Sequence, residues 1–107
     1  MEVNAKKGKE IIMVLTIELT LKLFRVGCDE KNYNLLNKLP LTAKEVEKLL
    51  QLSPMPTDRR LKELMEVGLI NREKIGEKIK LTPLGNDFKQ HIENLREEVV
   101  QNMAKLI

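Results

Sequence analysis

Three cations stand within four positions at Arg59, Arg60 and Lys62, and four more follow at Arg72, Lys74, Lys78 and Lys80. Arginine presents a planar fork that can pair bidentately with a guanine edge or a phosphate, and lysine adds a mobile point charge. Cations at this spacing therefore suit a polyanion. On a helix turning about 100° per residue, Leu61, Leu64 and Met65 share one face with Thr57. Arg59 and Glu63 then point directly away from that face, with Arg60 and Lys62 on its flanks. The competing reading is a solvated face in which Asp58, Glu63 and Glu66 neutralise their neighbours. Residues 54–80 carry seven Lys/Arg against five Asp/Glu, only +2 net. A surface of that charge holds nucleic acid well only if its basic residues are sorted onto one side.

Other chemistry has little to work with. There is no nucleophile–base pair at a recognisable spacing, no glycine-rich phosphate loop and no carboxylate cluster on an apolar face, so the chain is not expected to be an enzyme or to carry a cofactor. One cysteine, Cys28, and one histidine, His91, cannot form a zinc cluster within one chain. Cys28 reads as a small buried apolar residue and His91 as a surface or interface residue. The 107 residues suit one domain with a modest core, so an oligomer is expected. With two Phe, one Tyr and no Trp, that core must come from Leu, Ile, Val and Met. The net charge of +3 and pI near 9.0 permit a nucleic-acid partner without requiring one. No signal peptide is evident, so a cytoplasmic protein is expected. The apolar run from Ile11 to Leu15 meets Glu18, Lys22 and Arg25 too soon for a membrane span.

The elements that would position the cations are marked at their ends. Met1 to Lys9 reads as a basic arm carrying Lys6, Lys7 and Lys9. From Glu10 to Val26 two patterns compete. Leu15, Ile17, Leu19, Leu21 and Leu23 alternate with polar residues, which favours a strand. Ile12, Leu15, Leu19, Leu23 and Val26 also fit helical spacing, with Gly27 as a C-cap, so a helix stays open. Asp29 caps a short helix reaching Lys38 before Pro40. Thr42 and Glu45 form a capping box for a helix through Leu50, with Leu41 and Val46 as its hydrophobic staple. Ser53 and Pro54 open the next helix, which Gly68 stops. Leu69 to Ile75 and Lys78 to Thr82 read as two strands around a Gly76-Glu77 turn. Thr82 and Pro83 start a last helix, along which Phe88, Ile92, Leu95, Val99, Met103 and Leu106 recur at three- and four-residue steps. That stripe is longer than a small core needs and suits pairing with a second copy, with Asn102 near the seam to fix register. Helix, short turn, helix, hairpin is the order of a winged helix-turn-helix.

Leu41-Thr42, Glu45-Val46, Leu50, Leu52-Ser53, Arg59 to Leu64, Val67-Gly68-Leu69-Ile70 and Leu81-Thr82-Pro83-Leu84-Gly85 together resemble the winged helix-turn-helix of small prokaryotic transcription regulators. The likeness covers about residues 29–88, and the module is similar to the ArsR-type and MarR-type groups, especially their short archaeal members; the likeness points to the fold class rather than to one subfamily. It implies that the first half of the second helix reads bases while the wing touches phosphate or the minor groove. Carried onto this chain, that points to Met55, Thr57, Arg59 and Arg60 on the helix and Lys74 and Lys78 on the wing; the basic residues Lys62 and Arg72 beside them complete the expected DNA-contacting set. Two positions depart from the pattern: Glu47 stands where a small residue is usual, and Gln51 where the turn often has Gly. The cysteine pair of metal-sensing members is absent, so metal sensing is not implied.

The expected fold is therefore mainly α with a small β wing. Residues 1–28 form an N-terminal arm and packing or dimerisation segment, 29–83 the winged helix-turn-helix and 84–107 a C-terminal dimerisation helix. The expected function is binding of double-stranded DNA as a homodimeric transcription regulator, with no membrane association and no small-molecule ligand evident. The alternative is a winged-helix module for protein–protein interaction in a transcription or replication assembly.

Overall fold

A computed structural model describes residues 16–72, 74 and 76–107. The basic arm, the run from Ile11 to Leu15 and the strand positions Glu73 and Ile75 lie outside them. In chain order the elements are α1 (16–27), α2 (Glu30–Leu36), α3 (Ala43–Leu50), α4 (Pro54–Glu66), β1 (Ile70–Asn71), β2 (Lys80–Leu81) and α5 (Pro83–Leu106). The fold is mainly helical with a two-stranded antiparallel sheet, an arrangement compatible with a winged helix.

The alternation before Val26 does not produce a strand; residues 16–27 are helical. Thr20 donates its hydroxyl to the Thr16 carbonyl at 2.6 Å, a back-bond that suits Thr within a helix. The helix leaves Ile17, Leu19 and Leu21 exposed and buries only its C-terminal end, where Val26 enters the core. Gly27 is not a left-handed cap. It is where α1 crosses α5: a Cβ on Gly27 would lie 2.6 Å from Phe88 Cζ. The neighbouring Cys28 is exposed, contrary to the buried position expected of it.

Asp29 caps α2 by accepting from the Asn32 backbone N–H at 3.1 Å. The helix stops at Leu36, short of Lys38, because Asn37 turns to serve its last carbonyls. The capping box of α3 is complete: Glu45 N–H donates to Thr42 Oγ1 at 3.2 Å, and Thr42 N–H donates to Glu45 Oε1 at 3.2 Å. Ser53 occupies the N-cap of α4, yet its hydroxyl makes no capping bond; Pro54 begins the helix.

Helices α3 and α4 end alike. After α3, Leu52 N–H returns to the Glu47 carbonyl and Gln51 N–H to that of Lys48. After α4, Leu69 N–H returns to Leu64 and Gly68 N–H to Met65. Both are Schellman motifs, which place one residue in the left-handed region. Gly68 takes it with φ +83°, Gln51 with φ +54°.

The sheet pairs Ile70 with Leu81 and Asn71 with Lys80. Leu41 joins through a bridge to Ile79, exchanging bonds of 3.2 and 2.7 Å. The turn is closed by Glu77 N–H donating to the Lys74 carbonyl, with Gly76 at φ +92°. Gly76 is thus the second central residue of the turn, not the first of a Gly76-Glu77 pair. The strands are shorter than expected as well.

Leu35, Leu36, Val46, Leu61, Leu64, Leu69, Ile79 and Phe88 form one core, with Leu49, Leu52 and Met65 partly buried against it. Phe24 and Tyr33 meet Phe88 edge-on, with ring centres 5.5 and 6.5 Å away. Within the stripe on α5, Phe88 is buried and Ile92 packs against the core; Leu95, Val99, Met103 and Leu106 are exposed. At 1.5 Å per residue α5 spans about 36 Å, and most of it projects past the core. No described helix is long and apolar enough to cross a membrane.

Candidate nucleic-acid interface

The α3–α4 pair, joined through Gln51 and Ser53, presents one face of α4 outward. Leu61 and Leu64 anchor the opposite face in the core, so the rotation of α4 is fixed by burial. Met55 lies on the first turn at 78% exposure, and Arg59 and Lys62 are exposed beyond it. Arg72 is half-buried at the base of the hairpin, while Lys74, Lys78 and Lys80 are exposed along it.

Two of the expected contact residues are differently placed. Thr57 is 2% exposed, on the same face as Leu61, and has no surface to offer a partner. Its hydroxyl has no hydrogen-bond partner among the described residues. Thr57 therefore leaves the contact set, because the periodicity that puts Leu61 and Leu64 inward takes it with them.

Arg60 is engaged within the protein. Its Nη1 donates to Asp29 Oδ1 at 2.7 Å and to Asn32 Oδ1 at 3.1 Å. Asn32 is buried, and its Nδ2 donates to the Val26 carbonyl at 3.0 Å. One buried amide thus joins the end of α1 to the middle of α4. Burial pushes the Asp29 carboxyl upward, but the Asn32 N–H, with the hydrogen bond and charge of Arg60, outweighs it and holds the group below its ordinary 3.8. Asn32 gave no sequence signal as a tether; Asp29 was legible only as a cap.

On the capping box of α3, the Thr42 backbone N–H and then its hydroxyl hold the Glu45 carboxyl below its ordinary value, with Lys78 and Lys48 adding charge. The geometric link between the hairpin and the start of α3 is the bridge from Leu41 to Ile79, next to Lys78. Behind them, Tyr33 donates its hydroxyl to Glu93 Oε1 at 3.2 Å. Burial first, and then the nearby Glu93, raise the Tyr33 phenol above its usual value. His91 is exposed, with its ring centre 6.0 Å from that of Phe24.

Arg25, which sequence reasoning left unused, shares a polar cleft of about 440 Å³ with Asp29, Asn32, Arg59, Arg60 and Glu63. No group of three or more His, Cys, Asp or Glu suited to a metal exists among the described residues.

No family model matches the chain, and no curated protein does. Among solved structures, a protein of unknown function from Listeria innocua Clip11262 is similar, with a TM-score of 0.57 and 18% identity. The likeness covers 94% of this chain and 82% of that one, and at this identity it speaks for the fold alone.

Proposed function

We propose that the chain is a homodimeric winged helix-turn-helix protein that binds double-stranded DNA and regulates transcription by occluding a promoter. The observation that carries this reading is the orientation of α4. Its inner face is locked by Leu61 and Leu64, while Met55, Arg59 and Lys62 stand outward beside a hairpin bearing Lys74, Lys78 and Lys80. In this reading the first turns of α4 enter the major groove and the hairpin lysines lie on the backbone. The second copy covers the exposed apolar surface of α1 (Ile17, Leu19, Leu21) and of α5 (Leu95, Val99, Met103, Leu106). On α5 these residues recur at three- and four-residue steps along one face, and exposed apolar stripes of this kind mark interfaces. Two α4 helices related by a two-fold axis would meet half-sites about one helical turn, or about 34 Å, apart.

The test is anisotropy of a labelled random duplex titrated with the protein across a salt series. Affinity that falls steeply as salt rises is the expected result, because each neutralised phosphate releases counterions. Absence of binding at about 50 mM salt refutes the reading.

A second reading has its own support. α4 carries Asp58, Glu63 and Glu66 among Arg59, Arg60 and Lys62, and Arg60 is already paired with Asp29. A near-neutral outward face also suits a protein partner, so the same surface would serve as an interaction module in a transcription or replication assembly. Specific capture of a protein partner together with no retention on DNA would select it.

A further inference from the structure

The cleft between the end of α1, the start of α2 and the first half of α4 gathers three arginines, Arg25, Arg59 and Arg60, against two carboxylates, Asp29 and Glu63. Asp29 is committed to Arg60. Neither Arg25 nor Arg59 has an ion-pair or hydrogen-bond partner among the described residues. Arg60 itself uses only Nη1 on Asp29 and Asn32, which leaves Nε and Nη2 without a partner there. Its guanidinium is held in place by a buried amide and a carboxylate, so little side-chain freedom remains to be lost on binding. Two free guanidinium groups beside a fixed third are an arrangement suited to a tetrahedral oxyanion, which accepts several N–H donors at once.

We propose that this cleft is a phosphate-binding position, with Arg25 and Arg59 donating to the oxygens and Arg60 as the fixed wall. The inference rests on the DNA reading only for the source of the phosphate. On a duplex the site would take a backbone phosphate flanking the groove entered by α4, and would fix the angle of that helix without reading sequence. Arg25 would bring α1, the helix assigned above to the dimer, into contact with the same duplex.

Nitrogen-15 NMR of the arginine side chains in the full chain provides the test, with inorganic phosphate titrated in one arm and a random duplex in the other. The five arginines are Arg25, Arg59, Arg60, Arg72 and Arg96, and Arg96, paired with Glu93 on α5, is the internal control. Saturable shifts at Arg25 and Arg59 that exceed those at Arg96 are expected with phosphate. In the second arm, Arg25→Gln should lower the slope of log affinity against log salt by about 0.9 and weaken all sequences alike. Arg25 is exposed, so its replacement leaves the core untouched. Phosphate shifts without any duplex binding support a site for free oxyanions and remove the DNA reading. Duplex binding with an unchanged slope in Arg25→Gln, and phosphate shifts no larger than at Arg96, overturn the cleft and leave the DNA reading standing.

Discussion

Gly85, in the first turn of α5, rests directly against the carbonyl oxygen of Leu69: a Cβ at position 85 would fall far inside the contact distance of that oxygen and 3.0 Å from Leu81 Cδ2. The start of α5 is pinned there from several sides. Thr82 accepts from Gly85 N–H at 3.0 Å and donates its hydroxyl to the Gly68 carbonyl, while Thr82 N–H reaches Leu69 at 3.1 Å. Because the obstructing atom is backbone, it cannot move aside as a side chain would. Gly85→Ala should therefore lose about 3 kcal/mol in urea unfolding. Gly76→Ala, with open space around it but φ +92°, should lose only about 1 kcal/mol. Equal losses at the two sites would mean that the contact with Leu69 is not what position 85 protects.

The turn between α3 and α4 holds Gln51 in the left-handed region, φ +54° and ψ +44°. A side chain there crowds the following carbonyl, a cost glycine avoids, although glycine also loses more entropy on folding. Gln51→Gly is expected to raise the unfolding free energy by about 0.5 kcal/mol. A β-branched residue such as Ile at the same position should lower it by more than glycine raises it.

Thr57→Val replaces a buried hydroxyl without a partner by a methyl of similar size. Stability should increase by about 1 kcal/mol, because an unpaired hydroxyl no longer has to be desolvated. Affinity for DNA should stay unchanged, since the side chain faces the core. A loss of affinity in a stable Thr57→Val protein would return Thr57 to the contact surface.

Asp29 sets part of the acid response. Its folded-state pKa lies below 3.8, so its stabilising contribution is complete above that value and drains away as pH falls through the folded-state value. Asp29→Asn keeps a capping side chain but removes the charge facing Arg60. Urea midpoints measured from about pH 5 down to about pH 2 should fall less steeply in this variant than in the parent protein. The pair is partly exposed, so the difference above that window should stay under about 1 kcal/mol.

Val99 and Met103 are 58% and 55% exposed on the projecting half of α5. Val99→Glu combined with Met103→Glu should halve the mass seen by sedimentation while leaving the helical signal of the core intact. A mass unchanged by the double variant would place the pairing surface elsewhere.

What the sequence determined by itself lies in residues that act on their near neighbours. Thr42 with Glu45, Thr82 with Gly85, Asp29 with Asn32 and the left-handed Gly68 work within a few positions of each other, so their spacing was enough to place four helix boundaries. Leu61 and Leu64 likewise oriented α4, and the same count already put Thr57 inward. Tertiary structure decided the rest. Alternation in residues 15–23 was legible, but a strand needs an edge to pair with, and Leu41 bridges to Ile79. α1 instead satisfies its own backbone as a helix and docks where Gly27 lets Phe88 approach. Arg60 belongs to the internal network only because folding brings Asp29, 31 positions earlier, to 2.7 Å. No local pattern encodes that distance, and the same packing brings Arg25 into one cleft with Arg59.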